Sequence, residues 1–181
     1  MSAFDVRTYG DPVLKQLAQD VDHVDGALVQ LVDDMVETMY EAEGAGLAAP
    51  QIGVQKRLFV YDIGDGPEVI INPTIVESDG EWYYDEGCLS IPGLRLGILR
   101  PERVLIEGWN LDGKQLSLEA DEFLGRVFQH EVDHLDGVLM VERLDEEMRK
   151  RALRVLRDRA LGLDTTAMEA KLVSAGDDRP V

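Results

Sequence analysis

The spacing of hydrophobic residues predicts the order of helices and strands along the chain. Residues 26–43 carry apolar side chains at helical spacing, and Asp25 precedes them as an N-terminal cap. Further helices are predicted after Pro12, over residues 121–136 and over residues 145–161. The inward side chains of the first long helix are Leu28, Leu31, Val32, Met35, Val36 and Met39.

Between residues 58 and 118 the spacing shortens to strand-like runs separated by turns that contain glycine. The predicted strands are Leu58–Tyr61, Val69–Ile71, Arg103–Gly108 and Gln115–Leu118. The pattern as a whole describes an α+β protein without internal repeats. We predict one domain over residues 1–163 and a flexible tail over residues 164–181, where periodicity is lost.

Composition agrees with a compact domain. The 181 residues, 45% of them hydrophobic, are enough to bury a core without disulfides or a structural metal. We see no signal peptide and no transmembrane segment, so no membrane association is expected. The formal net charge of -18 argues against general nucleic-acid binding, since phosphate contacts need positive potential.

The strongest chemical signal is a pair of histidines four residues apart, His130 and His134, with Glu131 between them. Positions i and i+4 of a helix lie on one face, so both imidazoles can reach one ion while the glutamate points to the same pocket. The same pattern can occur by chance in an ordinary helix. Flanking apolar residues and the helix-ending Gly137 favour a buried helix and therefore a metal site.

A catalytic metal site usually has three protein ligands, so a third must be found. The metzincin spacing fails, because Met140 stands where that motif has its third histidine. His23 lies in a polar stretch that predicts a solvated surface residue. The remaining acidic candidates, which would imitate a peptidase, are Glu142, Glu146 and Glu147.

Cys88 is the other candidate and the single cysteine of the chain, which excludes an intrachain disulfide. A lone cysteine is ordinarily a small buried hydrophobe. Its neighbours favour a ligand instead, because Gly87 permits close backbone approach and Glu86 is a poor partner for an apolar side chain.

Three separated blocks together resemble the peptide deformylase family: residues 44–51 (GAGLAAPQ), residues 86–90 (EGCLS) and residues 129–134 (QHEVDH). All three are present in order, and the similarity runs from the first residues to Arg143. One departure is Ala45, where the family usually has a larger aliphatic residue. This substitution leaves the chemistry intact and alters a local substrate contact.

The resemblance implies a role for each matching position. The metal ligands would be Cys88, His130 and His134, with a water as the fourth. Glu131 would act as general acid and base, while the Gln51 side chain and the Leu89 backbone N–H would stabilise the oxyanion. The residues along the bound peptide would be Gly44, Ala45, Gly46 and Gly87.

The resemblance also implies the activity: a bacterial hydrolase that removes the formyl group from the N-terminal N-formylmethionine of new polypeptides. A metal-bound water would attack the formyl carbon. The implied cofactor is Fe²⁺, with Zn²⁺, Ni²⁺ or Co²⁺ as possible substitutes. A cysteine ligand fits a reducing cytoplasm. The implied fold packs antiparallel sheets around a central helix with the HExxH motif, followed by a C-terminal helix.

Two other functional classes stay open. A metallopeptidase would use one of the acidic residues after the motif helix as third ligand, and a non-catalytic metal protein would have a closed fourth position. The sequence also leaves Arg126 open, either facing the ligands or reaching solvent. Glu86, Asp133 and Arg100 are predicted to support the ligands or to form surface salt bridges.

The last predicted helix is basic in an otherwise acidic protein. Its basic residues are Arg149, Lys150, Arg151, Arg154, Arg157 and Arg159. One hypothesis is that this helix contacts the ribosome, and the simpler one is a solvated helix packed on the domain by its leucines.

Overall fold

Seven antiparallel strands form two sheets in the computed structural model, which describes residues 4–177. The strands are β1 (Gly46–Ala48), β2 (Leu58–Tyr61), β3 (Glu68–Asp79), β4 (Trp82–Cys88), β5 (Ile91–Arg100), β6 (Arg103–Trp109) and β7 (Gln115–Asp121). The larger sheet has the order β1-β2-β3-β6-β7, and β4 and β5 form a separate hairpin. The α+β class with antiparallel sheets is confirmed.

Four α-helices accompany these strands in the described part of the chain: α1 (Gly26–Glu41), α2 (Glu122–Leu135), α3 (Glu146–Ala160) and α4 (Thr166–Asp177). Asp25 caps α1 as predicted, because its side chain accepts a hydrogen bond of 2.8 Å from the backbone N–H of Leu28. Single 3₁₀ turns lie at Pro12–Lys15, Ala49–Ile52 and Met140–Arg143. Of the described helices, none has the length and apolar character needed to cross a bilayer.

The larger sheet is covered on both faces, which explains the continuous apolar run of β2. Leu58 and Val60 pack with α1, whereas Phe59 between them packs with Phe128 of α2. Helix α2 contacts all five strands of this sheet. A third cluster joins the inward side chains of β5 to α3 and to Leu172 of α4.

The β4–β5 hairpin was missed in the sequence, although the four predicted strands all lie within observed ones. A signal was present, because Leu94, Leu96 and Ile98 alternate with Arg95 and Gly97. The strand was obscured by the Pro92–Gly93 step before this run. The hairpin matters because it carries the candidate residues Glu86 and Cys88.

The C-terminal tail also differs from expectation. Where a flexible segment was predicted from residue 164, the structure has helix α4, and Leu172 is buried against the β5 cluster. Helix α4 was not recognised because its sequence lacks a strong apolar stripe. Residues 178–181 of the predicted tail lie outside the described residues.

Gly137 ends α2 in a conformation that other residues resist. Its φ is +70°, and a Cβ there would lie 2.8 Å from the backbone carbon of Lys15. We therefore expect Gly137→Ala to lower the free energy of unfolding by the left-handed penalty of about 1–2 kcal/mol plus a clash of about 1–3 kcal/mol. The control is Gly113→Ala, where φ is also +70° but nothing lies within 4 Å. Equal losses in urea unfolding would contradict the close-approach explanation.

Candidate metal centre

Three side chains that could hold a metal ion meet between α2 and the end of β4. His130 and His134 lie one turn apart on α2, and Cys88 is the last residue of β4. One ligand atom from each lies within 4.8 Å of the others. The Cys88 Sγ is 3.2 Å from the His134 Nε2, and the two imidazole centroids are 4.9 Å apart. The structure thus brings together the three ligands expected from the resemblance.

The donor chemistry of this group fits a divalent transition metal. A thiolate and two imidazoles suit zinc, iron, cobalt or nickel, and three protein ligands leave a position for solvent or substrate. Burial lowers the pKa of His134 well below its usual value, helped by the positive charges of His130 and Arg100. His134 is therefore kept neutral, which is the form that can ligate a metal.

Glu86 orients the His130 ring from behind. Its Oε2 lies 2.9 Å from the His130 Nδ1, so that Nδ1–H donates to the carboxylate and Nε2 faces the metal group. Burial alone would raise the pKa of Glu86, but hydrogen bonds from His130 and Arg100 lower it well below its usual range. Glu86 is consequently an ionised, buried carboxylate.

Two arginines, Arg100 and Arg126, neutralise the buried charge of Glu86. Arg100 of β5 donates from Nε and Nη2 to the two oxygens of Glu86 at 2.5 and 3.0 Å. Its Nη1 also donates to the Asp133 Oδ2 at 2.7 Å, and Arg143 pairs with the same aspartate. These side chains form a network in which Glu86, Asp133 and Arg100 are themselves buried, which excludes the alternative of surface salt bridges for these three residues.

Arg126 faces this network and not solvent. It is 3% exposed, and its Nη1 lies 2.8 Å from the Glu86 Oε1 and 3.1 Å from the Ile98 carbonyl oxygen. Its guanidinium also lies over the Trp82 ring, 5.1 Å from the centroid. Arg126 therefore fastens the β4–β5 hairpin to α2.

Glu131 lies in a different environment on the same helix. It is 4% exposed, and its Oε2 has no hydrogen-bond partner among the described residues. Burial raises the pKa of Glu131 to about 7, while the charge of His130 opposes the rise and that of Glu86 adds to it. A carboxyl group with a pKa near neutrality can both accept and donate a proton at working pH.

Gly46 of β1 makes room for this carboxyl group. A Cβ at position 46 would lie 2.5 Å from the Glu131 Oε1, which real atoms do not tolerate. The glycine-rich block 44–51 and the motif helix, far apart in sequence, are therefore in direct contact. A glycine is required here because of close approach, not because of an unusual backbone angle.

Gln51 presents its amide nitrogen to the metal group. Its Oε1 accepts a hydrogen bond of 2.8 Å from the Ala48 N–H, and its Nε2 donates to the Ser90 Oγ at 3.2 Å. The same nitrogen is 4.0 Å from the Cys88 Sγ. These partners assign the amide orientation. Ser90, fully buried, was missed as a supporting residue because a lone serine carries no recognisable pattern.

A cleft of about 880 Å³ opens above these groups. Residues that the sequence associates with the substrate or the oxyanion line it: Gly44, Ala45, Gly46, Gln51, Gly87 and Leu89. Cys88, His130 and Glu131 also contribute to its wall. The arrangement provides a concave site with ligand atoms, a carboxyl group and amide donors together, as hydrolysis of an amide requires.

The other candidate ligands lie elsewhere. Glu142 pairs with Lys15 and accepts from the Leu139 N–H, and His23 is exposed. Glu146 and Glu147 are exposed and pair with lysine or arginine of their own helix. None of these residues joins the group at Cys88 among the described residues. This removes the structural basis for a carboxylate third ligand.

Comparisons with known proteins agree with this geometry. The family model described as polypeptide deformylase matches residues 3–150. A peptide deformylase of Clostridium botulinum is 48% identical over 143 residues, covering 79% of this chain and 97% of the relative. The crystal structure of the Thermotoga maritima peptide deformylase superposes with a TM-score of 0.78 at 42% identity, covering 80% of this chain and 99% of the other.

A further solved structure carries a peptide. It is a class I type b peptide deformylase from Acinetobacter baumannii bound to Met-Ala-Ser, which is 34% identical with a TM-score of 0.76. The superposition covers 79% of this chain and 99% of that one.

Glu86→Gln tests whether the buried network holds the hairpin to α2. The substitution leaves the charges of Arg100 and Arg126 without their carboxylate, and breaking a buried ion pair costs about 3–5 kcal/mol. We expect a loss of that size in urea unfolding. The exposed control Glu146→Gln should change stability by no more than about 0.5 kcal/mol. Wild-type stability of Glu86→Gln would contradict the assigned role.

Proposed function

The chain belongs to the polypeptide deformylase family, and we propose that it removes the formyl group from the N-formylmethionine that begins new polypeptides. The observation that carries this proposal is the meeting of Cys88, His130 and His134 within 4.8 Å beside Glu131, whose Oε2 has no hydrogen-bond partner among the described residues. Members of this family are metal-dependent hydrolases. The helix α2, which bears the HExxH motif, is in this proposal the central element of the catalytic domain over residues 1–163.

We propose Cys88, His130 and His134 as the metal ligands and Fe²⁺ as the metal in the cell, with Zn²⁺, Ni²⁺ or Co²⁺ as substitutes. A divalent cation at this site would acidify a water molecule and polarise the formyl carbonyl. A thiolate favours soft or borderline metals, and an iron–thiolate site with an open position is sensitive to oxidation. A reducing cytoplasm is accordingly the proposed location.

Glu131 is proposed to move the protons of the reaction. Its carboxylate takes a proton from the attacking water as the oxygen bonds to the formyl carbon. It then gives a proton to the amine as the carbon–nitrogen bond breaks, so that formate and a free N-terminus result. The buried position beside Gly46 supports this role, because burial raises the pKa of Glu131 to about 7.

Gln51 and the backbone N–H of Leu89 are proposed to stabilise the negative charge that develops on the formyl oxygen. The Gln51 amide is already oriented by Ala48 and Ser90, so little reorganisation is needed when charge appears. Leu89 follows Cys88 directly and lines the same cleft. The ability of an amide N–H to donate a hydrogen bond is also independent of pH.

The peptide is proposed to bind as an added strand between Gly44–Gly46 and Gly87–Leu89. Strand β1 is an edge strand of the larger sheet, with one side unpaired within it. Gly44 lets the two walls approach, since a Cβ there would lie 2.8 Å from the Leu89 Cδ1. The Met-Ala-Ser bound to the Acinetobacter relative supports an N-terminal methionine peptide as the occupant. Ala45 would leave more space at its contact than a larger aliphatic residue.

The competing functions receive less support. A metallopeptidase with a carboxylate third ligand is not favoured, because Glu142, Glu146 and Glu147 pair with basic residues away from the site. A purely structural metal would leave no role for the buried Glu131, whose Oε2 lacks a partner among the described residues, or for the oriented Gln51. General nucleic-acid binding remains disfavoured by the net charge of -18.

A contact between α3 and the ribosome stays a prediction. The basic side chains of the helix already pair with acidic residues of the same molecule, which reduces the positive potential they present. The partner that this proposal requires is the formylated peptide alone.

Glu131→Gln and Cys88→Ala separate proton transfer from metal binding. Glu131→Gln preserves the volume beside Gly46, so we expect unchanged metal content and a fall of ~10² to 10⁴ in formate release from formyl-Met-Ala. Cys88→Ala should lose its metal after anaerobic dialysis, measured by atomic emission. Wild-type formate release by Glu131→Gln would contradict the mechanism. Metal retention by Cys88→Ala with digestion of unformylated protein would instead support the peptidase class.

Gln51→Ala tests the oxyanion donor. Losing one such donor typically lowers turnover by ~10² to 10³, and we expect kcat to fall by that factor with little change in KM. The control is Gln30→Ala, an exposed glutamine on α1 that hydrogen-bonds only Asp34 in the described contacts. An effect confined to KM would indicate a binding role for Gln51 and would overturn the assignment.

A further inference from the structure

The β4–β5 ladder is interrupted where it borders the cleft. Gly87 pairs with Arg95, but the next residue, Cys88, pairs with Ile91, so three residues of β5 loop out of the ladder. We call residues 92–94 the β5 bulge. Its central Gly93 has a φ of +73°, and all three residues line the cleft. The bulge therefore needs support from outside its own hairpin.

Arg159 of α3 provides that support. Its Nη1 donates to the Pro92 carbonyl oxygen at 2.8 Å. Its Nε donates to the Glu169 Oε1 of α4 at 2.7 Å, and Thr165 bonds the same carboxylate. The guanidinium of Arg159 is thus oriented by α4 through its Nε and contacts the bulge through its Nη1. The side chains of Arg159 and Glu169 are only about a quarter exposed, at 27% and 26%.

Other arginines near the end of α3 do not make this connection. Arg154 and Arg157 pair with Asp158 of their own helix, and their side chains are 67% and 66% exposed. They are suitable controls because they share the helix and the charge but have no described contact with the bulge.

The elements that hold Arg159 lie beyond the part matched by the family model, which ends at residue 150. Helix α4 is anchored by Leu172, which is 2% exposed and belongs to the same cluster as Ile91, just before the bulge, and Leu94, its last residue. Pro92 and Gly93 are themselves exposed. The rim of the cleft is therefore contacted by residues that lie after the part matched by the family model.

We propose that Arg159, oriented by Glu169, is a positioning residue that fixes the β5 bulge and thereby sets the affinity for peptide residues beyond the first one after the formylmethionine. This inference rests on the proposed function. Cys88 and Ile91 remain paired in the ladder next to the bulge, so the reacting groups do not depend on the Arg159 contact. Binding of a longer peptide depends on the Arg159 contact, because the exposed rim is the surface that the later residues of that peptide would meet.

The test compares Arg159→Ala with Arg157→Ala on two substrates, formyl-Met-Ala and a formylated pentapeptide. Losing a hydrogen bond from a charged group typically corresponds to a factor of about 10. We expect KM for the pentapeptide to rise about 5–10-fold in Arg159→Ala, with kcat within about twofold of wild type. Both constants for the dipeptide, and all constants of Arg157→Ala, should stay within about twofold. A KM rise that is equal for the two substrates, or a fall in kcat alone, would overturn the proposal.

A second readout keeps the inference separable from the proposed activity. Amide hydrogen exchange at Gly93, Leu94 and Arg95 should be faster in Arg159→Ala than in Arg157→Ala. If wild-type protein releases no formate, the proposed function fails, while amide exchange still tests whether Arg159 holds the β5 bulge. Unchanged exchange of these amides in Arg159→Ala would overturn the proposed role of Arg159 even where formate release is normal.

Glu169→Gln covers the case in which Arg159→Ala does not fold. It leaves Arg159 in place but weakens the bond that orients it, so a smaller pentapeptide KM rise of about two- to threefold is expected. The double variant should show no further rise beyond Arg159→Ala alone, since both changes remove the same contact. Full additivity of the two effects would overturn the stated role of Glu169.

Discussion

The carboxylate of Glu86 is the interaction on which the rest of the site depends. It is buried and accepts from Arg100 of its own hairpin and from Arg126 and His130 of α2. A buried charge is tolerated only with such partners. The β4–β5 hairpin can therefore pack on α2 only in the register that preserves these contacts. Cys88 follows two residues later on the same face of β4, and docking Glu86 therefore also delivers the sulfur to His134.

The surroundings give two glutamates near the same imidazole opposite properties. Glu86 is surrounded by donors that lower its pKa, whereas Glu131 faces the backbone of Gly46 and its Oε2 has no partner in the part of the chain that the structure describes. Arg100 and Arg126 lie on the Glu86 side of His130. One carboxyl group is thereby suited to holding a ring in place and the other to exchanging protons.

Local patterns allowed a large part of this arrangement to be predicted, and non-local packing hid the remainder. The motif helix and its end at Gly137 follow from helical periodicity and from a glycine stop, both read within a few residues. Cys88 emerged from its glycine neighbour and from the family resemblance, because no spacing rule links it to His130. Arg126 stayed undecided since its direction is set by a hairpin 28 and more residues away in sequence.

The hairpin and α4 were missed for related reasons. In β5 the alternation that marks a strand begins after the Pro92–Gly93 step and ends on Arg100, a charged residue at a core-facing position. The sequence of helix α4 has no clear apolar periodicity, and the helix is fixed by Leu172 and Glu169 against elements earlier in the chain. Neither signal is visible until the distant partner is known.

The contact between Gly46 and Glu131 has an evolutionary consequence. Mutation alters side chains, but position 46 can accept none without displacing the glutamate. A small molecule that engages the main chain of β1 would therefore contact a surface that single substitutions can hardly reshape, and a side chain at position 46 would displace Glu131.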